Sequence, residues 1–155
     1  MDDTAGICGM NHFMLPEAVN QQNVFGSEAG RYGIQAMELL LNEMIIRGAA
    51  KNRLWAKLFG GGHVIESMNS SQIPESNIAT AVTFLETENI PVLAQDVGGT
   101  NGRKVSFFTG TGKVLVEKVK KTEVTGIDSK ETRFRQRLQR DKKGEFVLFD
   151  RRLRA

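Results

Sequence analysis

The 155-residue sequence has one cysteine, Cys8, two histidines, one tryptophan, one tyrosine and three prolines. A single cysteine excludes an internal disulfide and fits a reducing cytoplasm, where the chain is expected to reside. Cysteines and histidines do not cluster at zinc-ligand spacing, and no carboxylate array suits calcium. No metal or other cofactor is therefore expected. Long apolar runs are missing as well: none reaches the 18 residues that a membrane-spanning helix needs, so no membrane insertion is expected. The opening residues, MDDTAG, are acidic and lack the apolar stretch of a secretory signal.

What is present is a chain 40% apolar and 25% charged, enough for one globular domain with a real core. The net charge of +3 is unevenly spread. Residues 130–155 hold ten Lys/Arg and four Asp/Glu, a net +6, which leaves −3 on residues 1–129. Phe134, Phe146 and Phe149 are interleaved with those arginines, but a solvated tail accounts for such a run, and no nucleic-acid partner is expected.

Gly6 to Leu15, GICGMNHFML, is short and apolar and stops at Pro16, which predicts a strand. Residues 17–30 are polar and glycine-containing and predict a loop. Arg31 to Arg47 predicts a helix, with Ile34, Met37, Leu40, Leu41, Met44 and Ile45 on one face and Gly48 as its stop. Leu39 and Ile46 fall on the other side. Arg53 to Phe59 predicts a strand running into the glycines 60–62 and His63. A second helix starts near Pro74, with Ile78, Val82 and Leu85 as its buried face. Ile90 to Asp96 predicts a strand, and the strands 104–109 and 113–119 a hairpin. The whole is α+β: a mixed sheet flanked by two main helices, over residues 1–121, followed by a basic tail, 122–155.

Cys8 and His12 are the residue types of nucleophilic acyl chemistry. In an extended strand at ~3.3 Å per residue their Cα atoms stand roughly 13 Å apart, out of hydrogen-bond reach. Cys8 therefore reads as a small buried hydrophobe. The glycine-rich stretches 60–62 and 98–102 match neither GxGxxG nor GxxxxGK[ST] and read as tight turns, with His63 as a surface residue.

Four segments, GMNHFMLP, RYGIQAMELLLNEMIIRGA, RLWAKLFGGG and IPVLAQDVGGTNGRKVSFFTGTGKVLV, resemble in order and spacing the chemoreceptor glutamine deamidase family, CheD. The resemblance covers roughly Gly6 to Val119, about three quarters of the chain. It implies a cysteine-hydrolase fold related to the catalytic domain of cytotoxic necrotizing toxins. It implies conversion of glutamines in methyl-accepting chemotaxis receptors to glutamate. A CheC-type phosphatase is a further partner that it suggests. His12 falls on the family's catalytic histidine, which ionises a cysteine and protonates the departing ammonia. The family's nucleophile lies in a Gly-Ser-Cys strand end about twenty residues before that histidine, and only eleven residues precede His12 here. Cys8 is not that cysteine. The chain is thus expected to lack the family's N-terminal strands, through a late start or a truncation, and in this form to be inactive and poorly soluble. The alternative is a non-catalytic adaptor that binds receptors or the phosphatase through the helix 31–47. DNA ahead of the Met1 codon is expected to encode Gly-Ser-Cys in frame, about twenty codons before His12. Sequencing that region checks this, and an intervening stop codon would count against it.

Overall fold

The computed structural model describes residues 1–15, 19, 22, 24–64 and 72–119. The tail 122–155, and much of the first half of loop 17–30, lie outside the described residues.

Helix α1 runs Glu28–Ile46. It begins three residues before the expected Arg31 because Ser27 caps it, its hydroxyl accepting from the Gly30 N–H at 3.0 Å. Glu28 lies against the positive end of the helix dipole. At the far end Gly48 turns the chain with φ +105, its N–H donating to the Ile45 carbonyl. Ile34 and Met44 are buried, with Met37, Leu40 and Leu41 packed against the core. Ile45 lies at the edge of this face and is exposed, contrary to the expected pattern. Helix α2, Ile73–Thr87, packs on α1. Gly33 permits the close crossing, since a Cβ there would stand 2.9 Å from Thr80 Cγ2 and 3.0 Å from Leu15 Cδ2. The buried face of α2 is Ser76, Thr80, Ala81, Phe84 and Leu85, so the expected Ile78 and Val82 flank it.

A 3-10 turn, Lys51–Arg53, precedes β1, Ala56–Gly60. β1 pairs in parallel with β2, Val92–Val97, from Ala56↔Val92 to Gly60↔Val97. A parallel pair needs a crossover, and α2 supplies it. β3, Gly102–Phe108, and β4, Lys113–Val119, form the expected hairpin, paired from Gly102↔Val119 to Phe108↔Lys113. The fold is α+β, with its parallel and antiparallel pairs in two two-stranded sheets.

The expected first strand is extended but makes no ladder among the described residues. Its one pairing is the bridge Asp2↔Ile7, with N–H···O distances of 2.8 and 3.1 Å. Composition can extend a chain, but a strand also needs a neighbour's N–H and C=O groups. Side chains hold the segment instead. The Asn11 amide donates to the Ala36 carbonyl, and the Leu15 N–H donates to Asn77 Oδ1, both at 2.9 Å.

The segment is rooted at Asp2, which has no exposed surface. Its carboxylate accepts from the N–H groups of Thr4, Ala5 and Ala50 and from Arg53 Nε and Nη2, all between 2.8 and 3.1 Å. The Arg53 guanidinium first, then the Ala50 N–H, hold this carboxyl well below the usual range, against the opposing effect of burial. Asp2→Asn is therefore expected to lower the melting temperature by several degrees at neutral pH. A depressed carboxylate stabilises the fold fully above its unfolded value, about 3.9, and loses that contribution as pH falls towards the folded value. Wild type and variant should thus differ by a constant amount between about pH 7 and 5 and converge below about pH 4. Melting curves across that range check this, and a gap that widens on acidification would refute it.

Candidate functional site

The helices, the strands and the extended segment border an open cavity of about 620 Å³. Leu40 and Met44 of α1, Phe84 of α2, Leu58 of β1 and Phe107 of β3 form much of its wall. The wall is apolar because these faces meet there without filling the space. Among the described residues no aspartate or glutamate lines it, whereas Lys57, Arg103, His12 and His63 do.

His12 sits on the segment Cys8–Leu15, exposed, between an exposed Asn11 that is tied to α1 and a half-buried Phe13. Gly9 allows this close seat on α1, since a Cβ there would meet Leu40 Cδ1 at 2.5 Å. Cys8 is half-buried, and its thiol donates to the Thr109 carbonyl, at the turn between β3 and β4, at 3.4 Å. The two residues lie on the same extended stretch, and no hydrogen bond joins them among the described residues.

His63, expected as a surface residue, has a partner: its Nε2 lies 2.6 Å from Glu75 Oε1 in the first turn of α2. That hydrogen bond is the main reason the Glu75 carboxyl is held below its ordinary value. Arg103 was not singled out by sequence reasoning. Its side chain is 8% exposed; it donates from Nη2 to Asp96 Oδ1 at 2.6 Å and from Nη1 to the Asn101 carbonyl at 3.2 Å. The Arg103 guanidinium is likewise the chief cause of the lowered Asp96 carboxyl. The available signal was an acid and a base seven residues apart, flanking a glycine turn between two strands. Lys57 donates to the Gly112 carbonyl at 2.9 Å and lies 5.1 Å from the Trp55 ring centroid. Among the described residues no group of three His, Cys, Asp or Glu side chains could hold a metal ion.

A family profile described as CheD chemotactic sensory transduction matches residues 14–118. Cys8 and His12 lie just ahead of that match. A probable chemoreceptor glutamine deamidase CheD of Laribacter hongkongensis is 42% identical over 139 residues, covering 90% of this chain and 68% of the relative. A protein of the same name from Methylobacillus flagellatus is 43% identical over 150 residues, covering 96% of this chain and 74% of the relative, so that match takes in both residues. A third, from Bordetella avium, is 48% identical over 118 residues, 76% of this chain and 51% of the relative. The chain spans between about half and three quarters of the length of these relatives. The geometry predicts that iodoacetamide alkylates Cys8 at the same rate in wild type and in His12→Ala. Mass spectrometry follows the reaction, and a marked slowing in the variant would place the imidazole on the sulfur.

Proposed function

The chain belongs to the CheD family, and from that premise we propose that it serves as a chemoreceptor glutamine deamidase with His12 as its general acid and base. The observation that carries this assignment is the placement of His12. Its ring is exposed beside a large cavity, on a backbone clamped at Asp2, Asn11 and Leu15. The names of the relatives supply the substrate class, glutamines of chemoreceptors; the family resemblance makes these the methyl-accepting chemotaxis receptors.

In this reaction a thiolate sulfur attacks the carboxamide carbon and the C=O electron pair moves onto oxygen. The tetrahedral species collapses, the C–N bond breaks, and imidazolium gives its proton to the departing ammonia. Water then attacks the thioester, the imidazole takes its proton, and the C–S bond breaks to leave glutamate. Cys8 is not the attacking sulfur in this proposal, because its thiol is held by Thr109. The chain supplies the imidazole and needs a thiolate from beyond these residues. Residues 1–121 form the deamidase-like domain, and 122–155 a basic tail of separate character. The protein works in the cytoplasm, on receptor cytoplasmic regions, with a CheC-type phosphatase as a further partner. No helix among the described residues is long and apolar enough to cross a membrane.

Ammonia release from receptor cytoplasmic fragments tests the proposal. The 155-residue polypeptide is expected at background, and Cys8→Ser leaves it there. Joined to the quarter of the Methylobacillus flagellatus relative that lies outside the match, it should release ammonia, and His12→Ala should then cut the rate by roughly 10²–10⁴. An extended protein indifferent to His12→Ala, or activity in the 155-residue chain that vanishes with Cys8→Ser, would overturn the assignment.

A further inference from the structure

A second polar wall of the cavity forms where the turn Gly60–His63 meets the turn Gly98–Arg103. The Gly98 N–H donates to the Gly60 carbonyl and the His63 N–H to the Gly99 carbonyl, both at 2.8 Å. Glycine makes the contact close: a Cβ on Gly62 would stand 3.2 Å from the carbonyl oxygens of Gly98, Gly99 and Asn101. These bonds bring His63 and Arg103 to one wall.

Each carries an unfilled hydrogen-bonding atom. The Glu75 carboxylate only accepts, so the proton it shares with His63 sits on Nε2, and whenever the ring carries a single proton Nδ1 keeps a lone pair. Nδ1 is buried without a hydrogen-bond partner among the described residues, and so is the Arg103 Nε–H. The rest of the guanidinium is taken by Asp96 and Asn101, and more than nine tenths of the side chain is buried. Buried polar atoms are rarely left unpaired, so an acceptor and a donor left open on one wall point to a ligand that offers the reverse pair.

We propose that His63 and Arg103 form a recognition site for a primary carboxamide, whose N–H donates to His63 Nδ1 and whose oxygen accepts from Arg103 Nε–H. A carboxylate fits worse. It brings acceptors only, sets one of them against the Nδ1 lone pair, and places a negative charge near Glu75 and Asp96, which already compensate these two residues. The two open atoms have no accessible surface as the side chains stand, and the His63 side chain is 26% exposed and that of Glu75 55%, so a ligand approaches from this exposed side with the His63–Glu75 bond kept. The inference rests on the deamidase assignment only in naming the carboxamide as glutamine. There it gives the protein a means to hold substrate and release the glutamate product.

The test is imidazole 15N NMR of the 155-residue chain at about pH 8, above the ordinary histidine value. Two histidines give two ring signals, and His12→Ala assigns them. His63 is expected as the Nε2–H tautomer. N-acetylglutamine amide should shift its signal at low millimolar concentration, with N-acetylglutamate amide at least about tenfold weaker, as a site built around a hydrogen-bonding pattern discriminates. Glu75→Gln frees the tautomer and should abolish the preference, while Arg103→Lys should weaken binding of the glutamine probe. Equal response to both probes, no response from a folded chain, an Nδ1–H tautomer, or a bridging water that neither probe displaces would each overturn the proposal. Binding needs no thiolate, so these results stand apart from the ammonia assay.

Discussion

A carboxylate with no exposed surface persists only when its lone pairs are met by donors. Asp2 meets that condition with three backbone N–H groups and a two-pronged arginine. Those partners come from two places in sequence, the turn Asp2–Ile7 and the link between α1 and β1. The cluster therefore fixes where the extended segment starts relative to the helix it will cross. From that root the chain runs past Gly9, tight against Leu40, to Asn11 on the Ala36 carbonyl, and ends at Leu15 on Asn77. His12 lies between the last two attachments. Its position is thus set by side-chain clamps in place of a strand ladder, and a loosened root would be felt along the whole stretch.

The same geometry explains why the site is open. The extended segment and β1 both border the cavity, α1 and α2 lie along it, and β3 completes the wall. β1 finds its partner in β2, and no described strand pairs with the extended segment. The space left between is apolar because every element turns its buried face inward. Its polar groups gather at the two histidines, Lys57 and Arg103. A chain so arranged leaves the exposed His12 beside the cavity, within reach of a large partner that the cavity need not enclose.

Much of this was legible in the sequence. Helix α1 announced itself through six apolar positions at helical spacing, and the hairpin through two alternating strands about a Gly-Thr-Gly turn. The four family-like segments pointed to the CheD family, whose profile matches residues 14–118. The first strand was misjudged because extension is a local property and pairing is not. The buried face of α2 shifted because Ser76 and Thr80 are buried by packing and hydrogen bonds that hydropathy does not register; Ser76 Oγ accepts from the Val19 N–H. The ion pairs were hardest to foresee. Asp2–Arg53 joins residues 51 apart, and His63–Glu75 depends on where α2 begins, so neither leaves a periodic trace.

Cys8 illustrates how geometry decides between two chemically reasonable readings. A thiol and an imidazole four residues apart would meet on a helix, at ~6 Å between positions, and separate on an extended chain. Gly9 lets the segment lie close against α1, the Asp2↔Ile7 bridge closes a turn ahead of it, and no helix forms across Cys8 and His12. The sulfur then turns to the Thr109 carbonyl, a neighbour made available only because the β3–β4 hairpin closes over that side of the segment. Acyl transfer needs the attacking atom within about 3–3.5 Å of the carbon, with a base in contact. Among the described residues the Cys8 thiol has its hydrogen bond on the hairpin, and none joins it to His12.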